Sequence, residues 1–290
     1  MRSPEEIKKL IIDFARSDER IRAVLLNGSR ANSKISPDEY QDYDIVYVVD
    51  NIESFISDKG WTNVFGDKLI WQLPDEMVVG NEEPDGASQF SLLMIFTDAN
   101  RIDLTLLSKT RIDINNKPDR LTIVWLDKDD MFSNIDLPND SDHLVKQPTE
   151  KEFLDTCNEF WWVCTYVAKG LVRNELTYSK AMLETVVRPM FMNVVAWYIG
   201  VETDFSVSAG KAGRFMKSLL PAGLYDDILR TYSDHIIENN WQAMFLMMDI
   251  FGKLSRYVSG KLKFKYVASE EENVIAYLDQ LYKEKVSDKV

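Results

Sequence analysis

Asp42 and Asp44 stand one residue apart at the mouth of an apolar run, "QDYDIVYVVD" (41–50). Acids are costly to keep at the edge of a core. Side chains alternate faces along a strand, so the two carboxylates project one way and Tyr43 the other. Like charges so placed oppose joint ionisation, and something must neutralise them. A hard divalent cation such as Mg²⁺ suits the pattern: it takes oxygen ligands, keeps several waters and is usually completed by substrate phosphates. A third acid, Asp103, lies in "RIDLTLL" (101–107), sharing a face with Thr105 while Leu104 and Leu106 share the other. Were its strand to pair beside the "DYDIV" strand, Asp103 would join Asp42 and Asp44 in one cluster.

Gly28-Ser29 supplies the complementary half. It follows the apolar run "IRAVLLN" and precedes the helix-compatible "RANS". A glycine at such a turn lets the backbone approach a ligand closely, and free N–H groups at a helix start favour an anion. Ser29 adds a hydroxyl donor. Taken singly, each part has a bland reading: a turn, a strand cap, an edge charge, a hairpin ion pair. Taken in this order, they describe metal-assisted nucleotidyl transfer. Two Mg²⁺ ions bound by Asp42, Asp44 and Asp103 would clamp the α-phosphate of ATP. Gly28 and Ser29 would hold the distal phosphates in line for displacement. One acid, most naturally Asp103, would accept the proton of the incoming hydroxyl.

Two kinds of element must position these residues. Up to about residue 130 the apolar runs are short and strand-like: "IRAVLLN", "DYDIVYVV", "KLIWQL", "FSLLMIF", "IDLTLL" and "LTIVWL". An opening helix from about Pro4 to Arg16 precedes them, with Ser3 and Glu6 as a capping box. "SLLMIFTDANRIDLTLLS" predicts an antiparallel hairpin turning around Asp98–Arg101. After "NIDLPNDSDHLVKQP" the period changes. Thr149 and Glu152 form a second capping box, and a long amphipathic helix follows to about Val172. Further helices are expected near 177–200, 211–219, 222–233, 238–258 and 270–284. The fold class is therefore α+β: a mixed-sheet nucleotidyltransferase domain at 1–135, then an all-α helical-bundle domain at 148–290, with 133–148 as linker.

Bulk properties narrow the partners. A net charge of −13 disfavours a nucleic-acid partner and is compatible with a cationic small-molecule substrate. No apolar run is long enough to cross a bilayer, no membrane partner is expected, and the charged N-terminus has no signal core behind it; the reading is cytoplasmic. Cys157 and Cys164 fall seven positions apart on a helix. Their Cα atoms would lie roughly 10 Å apart, too far for a bridge, which leaves small core residues in a reducing compartment.

The order strand, Gly-Ser, Asp-x-Asp strand, then a distant strand Asp resembles the signature of the polymerase-β-like nucleotidyltransferase superfamily. Beyond it, "DERIRAVLLNGSRAN" (18–32), "QDYDIVYVVD" (41–50), "IDLTLL" (102–107), "LDKD" (126–129), "CNEFWWVCTYVAKGL" (157–171), "VRP" (187–189) and the Gly-Lys of "SAGKAGRFMK" (208–217) resemble the aminoglycoside 6-adenylyltransferases. The resemblance implies AMP transfer from ATP to a streptomycin hydroxyl, magnesium dependence, antibiotic resistance, and a helical substrate-binding domain. It lays Asp42, Asp44 and Asp103 on the family's acidic cluster, Gly28, Ser29 and Arg30 on its phosphate turn, and Lys211 on its Gly-Lys. Two positions depart from the family pattern. Asn27 stands where a Glu is expected, and Ala181-Met182 where an Asp-His pair is expected. The second leaves adenylyl transfer as chemistry intact and bears on the acceptor, since a guanidinium-bearing drug would want that charge.

Glu159, Trp161 and Trp162 in "EFWWV" form a substrate-binding set, because aromatic faces with a nearby acid suit a sugar or a guanidinium group. Core packing is the competing role for at least one Trp. The stripe "WQAMFLMMDIFGKLSRYV" (241–258) reads as a buried bundle helix. The alternatives to an aminoglycoside transferase are an adenylyltransferase with another acceptor (a lincosamide or a protein hydroxyl) and a nucleotide-binding interaction module without turnover.

Overall fold

Ser3 starts the first helix, α1 (Pro4–Ser17), by accepting the Glu6 N–H at 3.2 Å while the Glu6 carboxylate accepts the Ser3 N–H at 2.7 Å. This reciprocal cap satisfies two of the donors that a helix start leaves open. The computed structural model describes residues 1–79, 88–112 and 118–287. It divides into two compact units, Met1–Asp142 and His143–Val290.

The first unit is built on a six-stranded mixed sheet. Its strands are β1 (Ile21–Asn27), β2 (Tyr43–Val49), β3 (Lys68–Gln72), β4 (Gln89–Phe96), β5 (Arg101–Ser108) and β6 (Thr122–Asp127), in the order β3-β4-β5-β2-β1-β6. The β2–β5 pairing is parallel and the other four are antiparallel. One face, carrying Tyr43, Ile45, Tyr47, Ile102 and Leu104, is covered by Ile7, Ile11 and Ala15 of α1. Burial of such side chains contributes about 1.5–3 kcal/mol each. Tyr47 fixes the helix to the sheet, its hydroxyl donating to the Ile11 carbonyl at 2.9 Å. The opposite face is more open, with a small apolar cluster of Ala23, Leu25, Val48 and Phe132.

The short helix α2 (Glu53–Ile56) and a 3₁₀ segment, Lys59–Phe65, lie on the crossover from β2 to β3. Neither was expected from hydrophobic period, which such short pieces do not display. Trp61 and Phe65 of this segment pack against Phe14. The β4–β5 hairpin turns through Thr97–Asn100, with Ala99 at φ 65°. Arg2 grips that turn, its Nε donating to Asp98 Oδ2 at 2.7 Å.

The second unit is helical throughout its described elements: α3 (Glu150–Val172), α4 (Leu176–Met182), α5 (Arg188–Glu202), α6 (Met216–Leu219), α7 (Ala222–Arg230), α8 (Ile237–Leu262) and α9 (Ala268–Ser287). Thr149 and Glu152 cap α3 as Ser3 and Glu6 cap α1. The expected stripe on α8 is the core, where Phe251 stacks on Phe160 of α3 with ring centroids 3.6 Å apart. Both cysteines are buried and unbridged, and burial pushes the Cys157 thiol up to about 12.

Two stretches differ from expectation. The helix expected at 177–200 is continuous from 176 to 202, but Leu183–Val187 is wound as a π-helix. The Arg188 N–H donates five residues back, to Leu183. Pro189 accounts for this, since it has no N–H to offer Thr185 and its ring crowds that carbonyl. The helix expected at 211–219 is instead a 3₁₀ turn, Lys211–Gly213, and the single turn α6. Gly210, Ala212 and Gly213 all adopt positive φ, which no helix accommodates.

Candidate active site

The parallel pairing of β2 with β5 sets Asp44 directly opposite Asp103. Both strands bury Tyr43, Ile45, Ile102 and Leu104 beneath α1, so their alternation turns the two acids to the open face of the sheet. On its other side Asp44 is in register with Asn27, the last residue of β1. Asn27 in turn faces Thr122 of β6, whose hydroxyl donates to Asn27 Oδ1 at 2.8 Å. A neutral amide therefore stands beside the acids at this position.

Gly28 leaves β1 with φ +71°, and a Cβ built on it would lie 2.1 Å from Asp44 Oδ2. Only glycine lets the turn close on that carboxylate. Gly28–Ala31 forms a four-residue 3₁₀ turn rather than the start of a longer helix. Arg30 does not reach outward from it. Its Nη2 donates to the Gln41 carbonyl at 2.7 Å and its Nε to the Asp42 carbonyl at 3.0 Å, and the guanidinium lies 3.8 Å over the Tyr43 ring. Arg30 thus fastens the approach to β2, holding Asp42 in place through its backbone.

The counter-charge in this structure is Arg101, which the sequence reading did not single out. As first residue of β5 it shares a face with Asp103 and forks onto it, Nε to Oδ1 and Nη2 to Oδ2, each at 2.7 Å. Its Nη1 also lies 3.6 Å from Asp42 Oδ2. Burial raises the Asp42 carboxyl above its ordinary range; Arg101 opposes that shift and Asp103 adds to it. The usable signal in the sequence was an Arg two positions before an acid on a strand.

Among the described residues no group of three His, Cys, Asp or Glu side chains stands ready to hold a metal ion. The donor chemistry nevertheless fits a hard cation: carboxylate oxygens from two paired strands, with the glycine backbone closed against one of them. The "LDKD" acids serve elsewhere. Asp127 accepts the Phe132 N–H at 2.8 Å, and Asp129 pairs with Arg22 and Lys109.

The remaining site candidates belong to the helical unit. Trp161 is 2% exposed, edge-on to Phe251 in the core, so its place is packing rather than ligand contact. Trp162, its neighbour on α3, is 58% exposed and donates from Nε1 to the Tyr166 hydroxyl at 2.7 Å. Glu159 and Lys211 are exposed, and Lys211 lies in the 3₁₀ turn rather than at the head of an α-helix. Ala181 is exposed on α4, one turn before Thr185.

A family model described as streptomycin adenylyltransferase matches residues 1–281. An aminoglycoside 6-adenylyltransferase of Bacillus subtilis (strain 168) is 39% identical over 283 residues, covering 97% of this chain and 99% of that protein. The chain belongs to the aminoglycoside 6-adenylyltransferase family. As a member it is an enzyme of the nucleotidyltransferase class, within the polymerase-β-like superfamily. Aminoglycoside 6-adenylyltransferases of Campylobacter jejuni and Staphylococcus aureus are 38% and 33% identical, covering 94% and 97% of this chain and 93% and 99% of theirs. A crystal structure of an aminoglycoside 6-adenyltransferase from Bacillus subtilis, 34% identical, covers 97% of this chain and 99% of its own, with a TM-score of 0.48. Among the described residues of this family member no helix is long and apolar enough to cross a membrane.

Proposed function

We propose that this chain transfers AMP from ATP to a hydroxyl of a streptomycin-type aminoglycoside and so confers resistance to it. The observation that carries the reading is the in-register pair Asp44 and Asp103, with Asp42 beside them, in a chain of this family. Mg²⁺, held by Asp42, Asp44 and Asp103, supplies charge stabilisation at the phosphoryl oxygens when bound. The chain's own residues do the rest. Gly28 and Ser29 present backbone N–H groups and a hydroxyl to the distal phosphates of ATP. A carboxylate oxygen of Asp103 takes the proton of the acceptor hydroxyl, whose oxygen then attacks the α-phosphorus. The bond from that phosphorus to the bridging oxygen breaks, and pyrophosphate leaves. Arg30 keeps Asp42 in position through the loop backbone. Trp162 and Glu159, exposed on α3, offer an aromatic face and a charge to a cationic sugar, and Lys211 offers a phosphate contact. ATP use and two free thiols suit the cytoplasm.

The exposed Ala181 favours a second reading of the acceptor alone: the same transfer to another aminoglycoside or to a lincosamide. Pyrophosphate release from ATP and Mg²⁺, measured with and without streptomycin, tests the first reading. Streptomycin-dependent release is the expected result. Release with a different drug but not with streptomycin moves the proposal to the second reading, and release with none of a panel overturns both.

A further inference from the structure

We infer that Arg101 is an exchangeable counter-ion, a positioning residue that holds Asp103 while the acids lack a metal and gives it up when a divalent cation arrives. The inference rests on the proposed role of Asp42, Asp44 and Asp103. Its basis is that the guanidinium occupies both oxygens of Asp103 at once, at 2.7 Å each, and lies 3.6 Å from Asp42. A bidentate fork of this kind is among the stronger charged contacts. No cation can take Asp103 as a ligand through an oxygen lone pair directed at Arg101 without displacing one arm of that fork.

The site's exposure permits the exchange. The Arg101 side chain is 39% exposed against 19% for Asp103, so the long flexible partner lies at the surface and the short acid is fixed on its strand. Solvent screening at this partial exposure weakens even a bidentate fork, which leaves it open to displacement by a cation of higher charge density. Arg101 is also well placed to relieve the repulsion between neighbouring carboxylates that the fold would otherwise carry in the metal-free state. The side chain would thus set two quantities in opposition. It stabilises the metal-free fold, and it weakens the apparent affinity of that fold for metal.

Arg101→Met keeps the aliphatic stem and removes the charge. Mn²⁺ binding, read by the loss of the free-ion electron paramagnetic resonance signal, should tighten about tenfold in Arg101→Met relative to wild type, on the scale of one displaced ion pair. In EDTA the variant should melt several degrees below wild type, and saturating Mn²⁺ should restore more of its stability than it adds to wild type. Equal Mn²⁺ affinities, or weaker binding by Arg101→Met, would overturn the exchange and leave Arg101 as a fixed brace. Asp44→Asn separates this from the underlying reading: if wild-type Mn²⁺ binding survives that substitution, the acids are not the metal site and the proposed role of the cluster fails on its own account.

Discussion

Asp44 and Asp103 are direct partners in the one parallel pairing of the sheet, although 58 intervening residues separate them in sequence. They share one site, so their removal should not be additive. Asp44→Asn and Asp103→Asn are each expected to reduce pyrophosphate release by at least about a hundredfold, and the double variant to be scarcely worse than either. Asp44→Asn should melt close to wild type, because that acid is not part of the core, whereas Asp103→Asn, which loses the charge that Arg101 grips, should melt below wild type in EDTA as Arg101→Met does. Full activity in Asp42→Asn, Asp44→Asn or Asp103→Asn would remove that residue from the metal site.

Gly28→Ala tests the closure of the turn on Asp44. The new methyl would meet a carboxylate oxygen at 2.1 Å and the φ of +71° would strain any L-residue. The fold should lose about 1–2 kcal/mol from backbone strain alone, and a shift of the turn by about 1 Å should cost roughly a hundredfold in turnover. Urea denaturation and steady-state rates on the same preparation check both.

Trp161 and Trp162 should behave oppositely. Trp161→Ala opens a cavity in the helical core and is expected to cost about 3–5 kcal/mol. Trp162→Ala should cost under about 1 kcal/mol and instead raise the KM for the acceptor while leaving the KM for ATP unchanged. A Trp162→Ala enzyme with unaltered acceptor kinetics would take that residue out of the substrate set.

Asp98 gives the first unit an acid-sensitive anchor. The Arg2 guanidinium beside it holds its carboxyl well below the usual carboxylate range, with Asn100 contributing. A carboxyl depressed on folding adds stability that is complete above its unfolded value, near 4, and is lost as pH falls through the folded one. Asp98→Asn should therefore be less stable than wild type by about 1–2 kcal/mol at pH 7, with the gap constant down to about pH 5 and closing below about pH 4. Chemical denaturation at pH 7, 5 and 3.5 measures it.

Much of the fold was legible because it is written in local patterns. The alternation of "DYDIVYVV" and "RIDLTLL" fixed which side chains face α1, and the capping boxes at Ser3 and Thr149 marked two helix starts. Features set by tertiary register were not legible. That Asp103 lies beside Asp44 depends on a crossover the sequence does not specify, and the grip of Arg101 on Asp103 and Asp42 follows from it. Arg30 shows the same limit: its type and place in the Gly-Ser-Arg turn suggest a phosphate, whereas in the folded chain it secures the Gln41 and Asp42 carbonyls. The π-helical turn before Pro189 escaped because an apolar period does not register a hydrogen bond displaced by one residue. Trp161 and Trp162 are alike in the sequence, and only the packing of α3 against α8 tells them apart.

β2 lies between β1 and β5, and β5 lies between β2 and β4, so both acid-bearing strands are interior. Fraying of such a sheet begins at its margins, here β3 and β6, and reaches the centre last. The amides of Tyr43–Ile45 and Ile102–Leu104 should therefore exchange with deuterium only through openings of the whole sheet. The backbone beneath the site is fixed for the lifetime of the folded state. Side chains among these acids can then change rotamer on the picosecond-to-nanosecond scale without the strands parting.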